Sequence, residues 1–593
     1  MRLDDATPLV LLDDARADGA PARLYRAPVR VIRADRIDQV WPALAASRAG
    51  QAEGLEAAGF IAYEAGPAFE PRLAPPLAQA EPLLWFGLFN GHQEIAAADV
   101  PALLPDPAGA WIGDVTPDIS RRDYDAMLDQ VLDLIRAGDI YQANLSFRAQ
   151  VPIIGDALAA YAQLRARAGA GYGAVVMTGA ETILSLSPEL FFAKDGDRLT
   201  ARPMKGTARR GMTAVEDRAL AEALRTDAKQ RAENLMIVDL LRNDLSRVAR
   251  AGSVAVPDLF KVESYPTVHQ MVSTVTAQID AGKDAVDVIA ALFPCGSITG
   301  APKIRAMEVI ADVEQPGGRG LYTGAIGRID ASGDAMFNVA IRTLVLPAGS
   351  DRAVIGLGSG IVADSAAPGE WDECLAKADF LRHDRRIDLI ETMAFDPQHG
   401  IRLLERHLVR MKNSANMLGF AFDRHDARNE LQAATFALRV PSRVRLLLAP
   451  SGAIAIETSA MPAAPAEPVE VAVLPLPVDR QDFRLRHKTS DRGFYDDARR
   501  AGGAFEVVFA DPQGHLTEGS FTSVFVERDG VLVTPPLARG LLPGILRAEL
   551  IERGRAIEGD LTAADLSGDF WIGNALRGLM RARLVASRAS AGL

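Results

Sequence analysis

The segment Ala232-Glu233-Asn234-Leu235-Met236-Ile237-Val238-Asp239-Leu240-Leu241-Arg242-Asn243-Asp244-Leu245 carries apolar residues at helical spacing. These residues recur three or four positions apart and share one helix face: Leu235, Val238, Leu241 and Leu245. The pattern predicts an α-helix with one buried side within residues 217–250. Upstream, residues 123–140 have the same period, whereas 173–177 and 182–185 are short apolar runs typical of strands. The region therefore predicts a mixture of helices and strands.

A second predicted helix carries two glutamates on one face, within Pro368-Gly369-Glu370-Trp371-Asp372-Glu373-Cys374-Leu375-Ala376-Lys377. Glu370, Glu373 and Lys377 stand at positions i, i+3 and i+7 of this segment. Together with Glu233 of the first helix, these carboxylates could hold one Mg²⁺, which takes a few oxygen ligands and keeps several waters. Exposed glutamates at helical spacing are also common on solvated helix faces. The spacing alone leaves both interpretations open.

The composition is that of a folded, globular chain. It has 593 residues, 48% of them hydrophobic and 24% charged, so we expect at least two large units. The net charge is −12 without a cationic stripe, which disfavours nucleic acid as a partner. The apolar runs are far shorter than the roughly 20 residues that span a bilayer, so we expect no membrane association. Residues 1–14 are acidic, unlike a secretory signal, and the chain has only Cys295 and Cys374; both features predict a cytoplasmic protein.

A charged segment marks the expected division of the chain. Leu381-Arg382-His383-Asp384-Arg385-Arg386-Ile387-Asp388 follows a predicted helix and precedes a new apolar pattern. We therefore expect the boundary at 381–388, with one domain over 1–380 and another over 389–593.

Four ordered segments carry a family resemblance between about residues 120 and 377. They are Asp139-Ile140-Tyr141-Gln142-Ala143-Asn144-Leu145-Ser146, Leu186-Ser187-Pro188-Glu189-Leu190-Phe191, Phe293-Pro294-Cys295-Gly296-Ser297-Ile298-Thr299-Gly300-Ala301-Pro302-Lys303 and Gly356-Leu357-Gly358-Ser359-Gly360-Ile361-Val362-Ala363-Asp364-Ser365. The region resembles the chorismate-utilising enzymes. The resemblance implies chorismate as the substrate and an α+β chain that begins with an α/β sandwich of two mixed sheets and flanking helices. It also implies Mg²⁺ held by Glu233 and Glu373, with Glu370 close by.

The segment Ala201-Arg202-Pro203-Met204-Lys205-Gly206-Thr207 separates branches of that family. Anthranilate synthases resemble it but carry alanine where Lys205 stands, whereas aminodeoxychorismate synthases carry lysine. The resemblance implies that Lys205 attacks ring carbon C2 as the C4 hydroxyl leaves, and that ammonia entering at C4 then expels the lysine. Burial or neighbouring cations such as Arg202 would have to lower the lysine pKa from its ordinary value of about 10.4.

The same resemblance assigns roles to other residues of the first domain. It implies that Glu189 is the general acid for the departing hydroxyl and that His269 lies near the reacting ring. The Arg342 guanidinium suits bidentate hydrogen bonding to the enolpyruvyl carboxylate. The remaining predicted substrate-binding residues are Thr299, Lys303, Tyr322, Gly358 and Gly360.

Two further expectations concern partners and control. Neither cysteine lies in a segment that resembles a glutamine amidotransferase nucleophile, so a separate amidotransferase subunit is implied as the source of ammonia. Leu9-Val10-Leu11-Leu12-Asp13-Asp14 lies where some relatives bind tryptophan, but its motif differs from theirs. We therefore predict that tryptophan does not inhibit this protein.

After the boundary, the chain resembles class IV aminotransferases to about residue 584. The segments that carry the resemblance are Arg486-His487-Lys488-Thr489, Leu516-Thr517-Glu518-Gly519-Ser520 and Gly540-Leu541-Leu542-Pro543-Gly544-Ile545-Leu546-Arg547. It implies a fold-type-IV domain of two subdomains that binds pyridoxal 5′-phosphate and that can pair with a second copy. Lys488 would form the Schiff base and shuttle protons, and Glu518 would pair with the pyridine nitrogen. The phosphate would be held by the helix start at Gly544 and Ile545 and by Arg410.

Together the two resemblances imply a bifunctional enzyme. The first domain would convert chorismate and ammonia to 4-amino-4-deoxychorismate, and the second would eliminate pyruvate to give 4-aminobenzoate for folate synthesis. Lys488 does not distinguish such a lyase from a transaminase, but the fusion and Trp571-Ile572-Gly573-Asn574-Ala575-Leu576-Arg577-Gly578, which resembles lyases, favour the lyase. The alternatives are an anthranilate synthase first half, a transaminase second half, or an inactive second half that serves as a scaffold for the amidotransferase.

Overall fold

The computed structural model describes residues 3, 8–74, 82–265, 268–314, 318–382 and 386–586. The chain divides into two compact units. The first comprises Met1–Leu104, Asp114–Val151 and Tyr161–Arg382, and the second comprises Pro105–Gly113, Pro152–Ala160 and His383–Leu593. Of the predicted boundary segment, residues 383–385 lie outside the described residues. Among the described helices, none is both long and apolar enough to cross a bilayer.

The part of the chain before the charged segment contains twenty-one strands and nine α-helices among its described residues. The strands are β1 (Leu9–Asp13), β2 (Ala22–Arg26), β3 (Arg30–Ala34), β4 (Glu56–Ile61), β5 (Leu84–Phe89), β6 (Gln93–Ile95), β7 (Ala110–Ile112), β8 (Thr116–Pro117), β9 (Gln142–Gly155), β10 (Tyr172–Met177), β11 (Glu181–Ser187), β12 (Leu190–Asp195), β13 (Arg198–Arg202), β14 (Met204–Arg209), β15 (Ala255–Ser264), β16 (Val268–Gln278), β17 (Gly300–Ala301), β18 (Ala325–Ile329), β19 (Ala335–Val339), β20 (Thr343–Pro347) and β21 (Arg352–Ile361). The helices are α1 (Ile37–Ala52), α2 (Val100–Leu103), α3 (Arg121–Arg136), α4 (Ala157–Ala168), α5 (Ala214–Thr226), α6 (Ala228–Ser246), α7 (Ala285–Leu292), α8 (Lys303–Val313) and α9 (Ala367–Ala376).

The first unit is built around two large sheets. One has the strand order β17-β9-β21-β20-β11-β10-β1-β2-β6, and the other has the order β14-β16-β13-β12-β19-β18-β4-β5-β3. We expected mixed sheets, but the neighbouring strands whose register is defined run antiparallel, as in β10 with β11 and β12 with β19. Apolar side chains of both sheets form one buried cluster: Val10, Tyr25 and Val176 from the first, and Phe60, Trp85 and Ile326 from the second. Burial of each large side chain contributes about 1.5–3 kcal/mol, so this cluster holds the two sheets face to face.

The helix predicted within 217–250 is present but interrupted. It consists of α5 and α6, which are separated at Asp227, whose carboxylate accepts a hydrogen bond from the Gln230 amide and caps α6. Val238, Leu241 and Leu245 are buried as predicted, whereas Leu235 is 44% exposed, so its assignment to the buried face was wrong. The other predicted helices and strands of this region are confirmed by α3, α9, β10 and β11.

The second unit contains two sheets of different size. The elements after the charged segment are β22 (Leu389–Asp396), β23 (Gly400–Ile401), β24 (Ser442–Leu448), β25 (Ile454–Ala460), β26 (Val469–Pro475), β27 (Glu506–Ala510), β28 (Leu516–Gly519), β29 (Ser523–Arg528), β30 (Val531–Thr534), β31 (Ala556–Glu558), β32 (Phe570–Asn574), β33 (Gly578–Leu584), α10 (Leu404–Leu418), α11 (Arg424–Thr435), α12 (Phe483–Arg486), α13 (Gly493–Gly502) and α14 (Ile545–Glu552). The smaller sheet has the order β23-β22-β24-β25, and the larger has the order β28-β27-β26-β33-β32-β29-β30-β31. The larger sheet is mixed, because β26 runs parallel to both β27 and β33.

Two short segments from the first half of the chain belong to this second unit. In them, Trp111 and Ile154 are buried in the same apolar cluster as Met393, Leu408 and Leu446. The Trp111 ring nitrogen donates a hydrogen bond to the Leu418 carbonyl, 2.9 Å away. The sequence analysis did not anticipate this exchange, because it placed all of 1–380 in one domain.

Candidate active sites

Lys205 lies on β14 beside an irregularity in the sheet. The register between β14 and β16 shifts between Met204 and Thr207, and Gly206 has a φ of 102°, which favours glycine. The Lys205 Nζ lies 3.9 Å from Glu233 Oε2, and its carbonyl accepts a hydrogen bond from Asn234 Nδ2 at 3.3 Å. Burial lowers the pKa of Lys205, and the nearby Lys377 ammonium lowers it further, while carboxylates around it act in the opposite direction.

Glycines of β21 leave room for the side chains of this site. A Cβ at Gly360 would lie 2.5 Å from Lys205 Nζ and 2.6 Å from Gln142 Nε2, so both side chains converge on the bare backbone of this glycine. A Cβ at Gly358 would lie 3.0 Å from the Tyr322 hydroxyl oxygen. A larger residue at either position would displace a predicted site residue.

Gln142 is a site residue that the sequence analysis missed. Its side chain is 1% exposed, and its Oε1 has no hydrogen-bond partner among the described residues. Buried polar atoms are normally hydrogen-bonded, so an unpaired oxygen next to Lys205 indicates a group that meets a ligand. The signal was available, since Gln142 lies inside the first of the four segments that carry the family resemblance.

The three predicted metal-binding glutamates come from α6 and α9. Glu370 accepts a hydrogen bond from Ser365 Oγ at 2.6 Å, and Glu373 pairs with Lys377 Nζ at 2.8 Å. Burial raises the pKa of Glu233. Burial also acts upward on the pKa of Glu373, but the ammonium groups of Lys377, Lys205 and Lys229 together outweigh it, and the net pKa is below the usual value. All three carboxylates raise the pKa of Lys205 electrostatically, so all three lie near its ammonium group.

The chemistry of this donor set suits Mg²⁺. Carboxylate oxygens are its preferred protein ligands, and one or two of them suffice when water and substrate complete the octahedron. No group of three metal-ligating side chains lies close enough to bind an ion by itself within the described residues.

Glu189 is buried beside the strand that carries Lys205. Its Oε1 accepts a hydrogen bond from Ser297 Oγ at 2.7 Å, and Cys295 Sγ lies 3.2 Å from the same serine oxygen. Burial raises the pKa of Glu189 to about 7, although Ser297 and the Met204 amide stabilise the ionised form. A carboxyl group with this pKa can deliver a proton near neutral pH.

Arg342 offers a partly buried positive charge. Its backbone has a φ of 50°, an uncommon conformation for a residue with a side chain, and no carboxylate among the described residues pairs with its guanidinium. Burial lowers the pKa of this guanidinium. A partly buried guanidinium without a carboxylate partner favours binding of an anion such as a carboxylate.

The other predicted residues of the first unit have partners inside the protein. His269 contacts Ser264 and Asp217, Lys303 contacts Asp244 and the Leu292 carbonyl, and Thr299 donates to the Cys295 carbonyl. Their predicted contacts with substrate stay predictions.

A cavity of about 510 Å³ adjoins one predicted residue of this site, Tyr322. Its walls include Asp118, Asp123, Ser146, Glu314 and Arg319. Its volume is typical of small-molecule sites, but neither Lys205 nor Glu189 lines it. The candidate site is therefore defined by the side-chain geometry around Lys205 rather than by this cavity.

In the second unit, Lys488 is placed by short contacts between β22 and the segment that follows α12. Its carbonyl accepts a hydrogen bond from the Ile390 amide at 2.8 Å, and Thr489 forms an antiparallel β-bridge with Leu389. Burial lowers the pKa of Lys488 to about 7, Glu391 opposes this effect, and the Arg410 and Arg492 guanidinium groups add to it. A substantial fraction of this amine is therefore neutral and nucleophilic near pH 7.

Glu518 lies on β28 with both carboxylate oxygens occupied. Tyr495 Oη donates to one oxygen at 2.5 Å, and the Leu542 amide donates to the other at 3.1 Å. Burial raises the pKa of Glu518 to about 7 despite these two donors. The group can thus hold or release a proton toward a ring nitrogen near neutral pH.

Glu506, a residue that the sequence analysis missed, fixes the turn after Glu518. It accepts hydrogen bonds from the Ser520 amide and hydroxyl, the Phe521 amide and the Thr522 hydroxyl. A Cβ at Gly519 would lie 2.9 Å from its carboxylate, so this position favours glycine. Four hydrogen bonds from one turn to one buried carboxylate hold the backbone at Glu518 in place.

Arg410 and the start of α14 were both predicted to bind a phosphate. Arg410 donates to the two oxygens of Glu391 at 2.8 and 2.7 Å and to the Pro543 carbonyl at 3.0 Å. These bonds use three of its five N–H groups, so the guanidinium is oriented and keeps two donors for a ligand. Gly544 precedes the helix, and no side chain caps the amides that begin at Ile545.

The donors of the second unit fit pyridoxal phosphate. A lysine whose pKa is about 7, a protonatable carboxyl group and an uncapped helix start correspond to the aldehyde, the ring nitrogen and the phosphate of that cofactor. The sequence analysis did not identify Glu391, whose carboxylate accepts two hydrogen bonds from Arg410 and thereby orients that guanidinium.

Comparisons with known proteins identify both parts of the chain. The family described as chorismate binding enzyme matches residues 10–383, and amino-transferase class IV matches residues 388–585. Aminodeoxychorismate synthase component 1 of Escherichia coli is 44% identical over 260 residues, which are 44% of this chain and 57% of that protein. Anthranilate synthase component 1 of Thermus thermophilus is 41% identical over 261 residues, which are 44% of this chain and 56% of that protein. The chain thus spans little more than half the length of either relative, and identity does not separate the two activities.

A solved structure agrees with this assignment. Anthranilate synthase component I from Streptococcus pneumoniae is 26% identical, with a TM-score of 0.51 over 64% of this chain and 94% of that chain. The predicted family resemblance and fold class are confirmed. The chain belongs to the chorismate binding enzymes and carries an amino-transferase class IV domain after its chorismate-binding part.

Proposed function

We propose that this chain makes 4-aminobenzoate from chorismate in two steps, first as an aminodeoxychorismate synthase and then as an aminodeoxychorismate lyase. The presence of Lys205 carries the proposal for the first half. The relatives include both aminodeoxychorismate and anthranilate synthases at similar identity, so the side chain at this position decides between them. Its amine lies among carboxylates that suit Mg²⁺ and near a buried acid, Glu189.

The first reaction follows from the groups around Lys205. The lysine amine attacks ring carbon C2 of chorismate while Glu189 donates a proton to the departing C4 hydroxyl. Ammonia then bonds to C4, and the bond between C2 and the lysine breaks, which regenerates the amine. Arg342 orients the substrate by one carboxylate. Glu233 and Glu373 would hold Mg²⁺, which when bound supplies the positive charge that neutralises the ring carboxylate.

The second reaction uses Lys488 as the base. Lys488 takes the C4 proton of aminodeoxychorismate, pyruvate leaves, and the ring becomes aromatic, which drives the step. Pyridoxal phosphate, when bound, supplies an electron sink for this proton removal. Arg410 and the first amides of α14 would hold its phosphate, and Glu518 would face its ring nitrogen.

Product analysis with the full chain tests both steps. With chorismate, ammonium, Mg²⁺ and pyridoxal phosphate, we expect 4-aminobenzoate and pyruvate in equal amounts. The variant Lys488→Ala should accumulate aminodeoxychorismate, and Lys205→Ala should produce neither compound. Formation of fluorescent anthranilate, or normal amination at C4 by Lys205→Ala, would refute the assignment of the first half. Transfer of the amino group to a 2-oxo acid without pyruvate release would make the second half a transaminase.

We also propose that a separate glutamine amidotransferase subunit supplies the ammonia. The described chain buries both cysteines, Cys295 and Cys374, and burial raises the pKa of each thiol, opposite to what a nucleophilic cysteine requires. With glutamine instead of ammonium, we expect no product until such a subunit is added. Product from glutamine and the purified chain alone would contradict the proposal. Sedimentation with and without cofactor tests the further proposal that the second domain pairs with a second copy.

A further inference from the structure

Arg492 is a charged residue of the second unit that the proposed mechanism does not use. It immediately precedes α13, four residues after Lys488. Its guanidinium carbon lies 4.2 Å from the centre of the Tyr495 ring, and its Nη2 donates to the Ser520 carbonyl at 3.3 Å. Tyr495 in turn donates to Glu518. Stacking and one hydrogen bond therefore fix the guanidinium next to the groups that hold Glu518.

The second terminal nitrogen of this guanidinium, Nη1, is buried and has no hydrogen-bond partner among the described residues. A buried charged donor without an acceptor is destabilising, and native proteins pair nearly all such groups. An orphaned donor on an otherwise fixed side chain therefore indicates that its acceptor belongs to a ligand.

The position of Arg492 limits what the ligand atom can be. Its positive charge lowers the pKa of both Lys488 and Glu518, so the guanidinium lies within electrostatic range of both residues. A cofactor held by Lys488 and Glu518 would therefore come within range of the Arg492 charge. Arg410 and the start of α14 are the groups proposed above for the phosphate, so we assign a different oxygen to Arg492.

We propose that Arg492 is an oxyanion-binding residue of the second site, which receives either the phenolate oxygen of pyridoxal phosphate or a carboxylate of the substrate. Both sources present the same chemistry, a negatively charged oxygen that accepts from a planar fork of N–H donors. The inference rests on the proposed function of the second half.

Binding measurements without turnover test this assignment. Arg492→Gln removes the charge, and Arg492→Lys keeps the charge but loses the fork and the stacking. The matched control is Arg500→Gln, which removes one charge from α13, the helix that Arg492 precedes. The Arg500 side chain is 75% exposed and pairs with Asp497. For each protein we would measure the Kd of pyridoxal phosphate, the position of its visible absorbance band, and the Kd of 4-aminobenzoate for the cofactor-loaded protein.

The two sources give different results. If the phenolate is the ligand, Arg492→Gln should raise the cofactor Kd at least about tenfold and move the absorbance band. If a carboxylate is the ligand, the cofactor Kd and band should match those of Arg500→Gln, and the 4-aminobenzoate Kd should rise at least about tenfold. If Arg492→Gln does not fold, the same comparison with Arg492→Lys decides.

Two outcomes would overturn the inference, and they are distinct. Wild-type protein that binds cofactor, with Arg492 variants within about twofold of the control in all three measurements, refutes the role of Arg492 alone. Wild-type protein that binds no pyridoxal phosphate refutes the proposed function of the second half, and this inference with it.

Discussion

Replacement of Ser297 by alanine should move the pH dependence of the first reaction. Ser297 Oγ donates a 2.7 Å hydrogen bond to Glu189, inside a buried site where the pKa of Glu189 is raised by burial to about 7. A hydrogen bond to a charged acceptor contributes about 1.5–3 kcal/mol, and one pKa unit corresponds to about 1.4 kcal/mol. Since the serine stabilises the ionised form, its loss should raise the pKa of Glu189 by about 1 to 2.

The direction of the expected pH shift follows from the role proposed for Glu189. The group acts as an acid, so it is active below its pKa and inactive above it. In Ser297→Ala, activity at high pH should therefore persist about 1 to 2 pH units further than in wild type. The assay is kcat/KM for chorismate against pH, with total ammonium adjusted so that free ammonia stays constant.

Ser297→Thr is the matched control, because it keeps the hydroxyl group. It should retain the wild-type basic limb if the threonine hydroxyl occupies the same position, which a crystal structure would check. A basic limb that is unchanged in Ser297→Ala, or that moves to lower pH, would refute the assignment of Glu189 as the acid that Ser297 tunes.

Three further predictions concern both halves of the chain. Lys205→Ala should abolish amination at C4 yet leave pyruvate release from supplied aminodeoxychorismate within about twofold of wild type; loss of both activities would show that the substitution damages the whole protein. Tyr495→Phe removes a donor that stabilises ionised Glu518, so the pKa of Glu518 should rise and lyase activity at pH 7 should fall and recover at higher pH; a fall that is equal at every pH would contradict this reason. Tryptophan should not inhibit, because Asp13 is already bound by Arg165 at 2.6 Å; inhibition of the first reaction at millimolar tryptophan would show that the site is open.

The sequence predicted elements well where one periodic pattern decides the structure. Strands β10 and β11 and the buried positions Val238 and Leu241 follow from local alternation or helical period. Leu235 was misplaced because a period states which residues share a face, but not where that face turns away from the core. The sequence analysis placed Trp111 in the first domain, whereas its side chain packs in the second unit, because its partners, such as Leu418, lie about 300 residues later in the chain.

In the candidate sites too, the sequence identified residues in recognisable local segments but not those that depend on distant contacts. Lys488 and Glu518 lie in short segments with a recognisable order, so resemblance identified them. Arg492 and Glu506 have no such signal, since their importance depends on an unpaired buried atom and on the turn that the carboxylate binds. Such properties arise only when the chain has folded, because they depend on burial and on partners distant in sequence.

The two sites tune their buried carboxyl groups in the same way. Glu189 and Glu518 each have a pKa that burial raises to about 7, and each is stabilised in the ionised form by one hydroxyl group and one backbone amide. Burial alone would leave such a group protonated at neutral pH, and two donors in an open site would leave it ionised. The balance between burial and these two donors keeps both the protonated and the ionised carboxyl group accessible near neutral pH. A group that must release or share a proton requires both forms. Removal of either hydroxyl should therefore alter a pH profile more than it alters stability, because the carboxyl group can become neutral in place of the lost hydrogen bond.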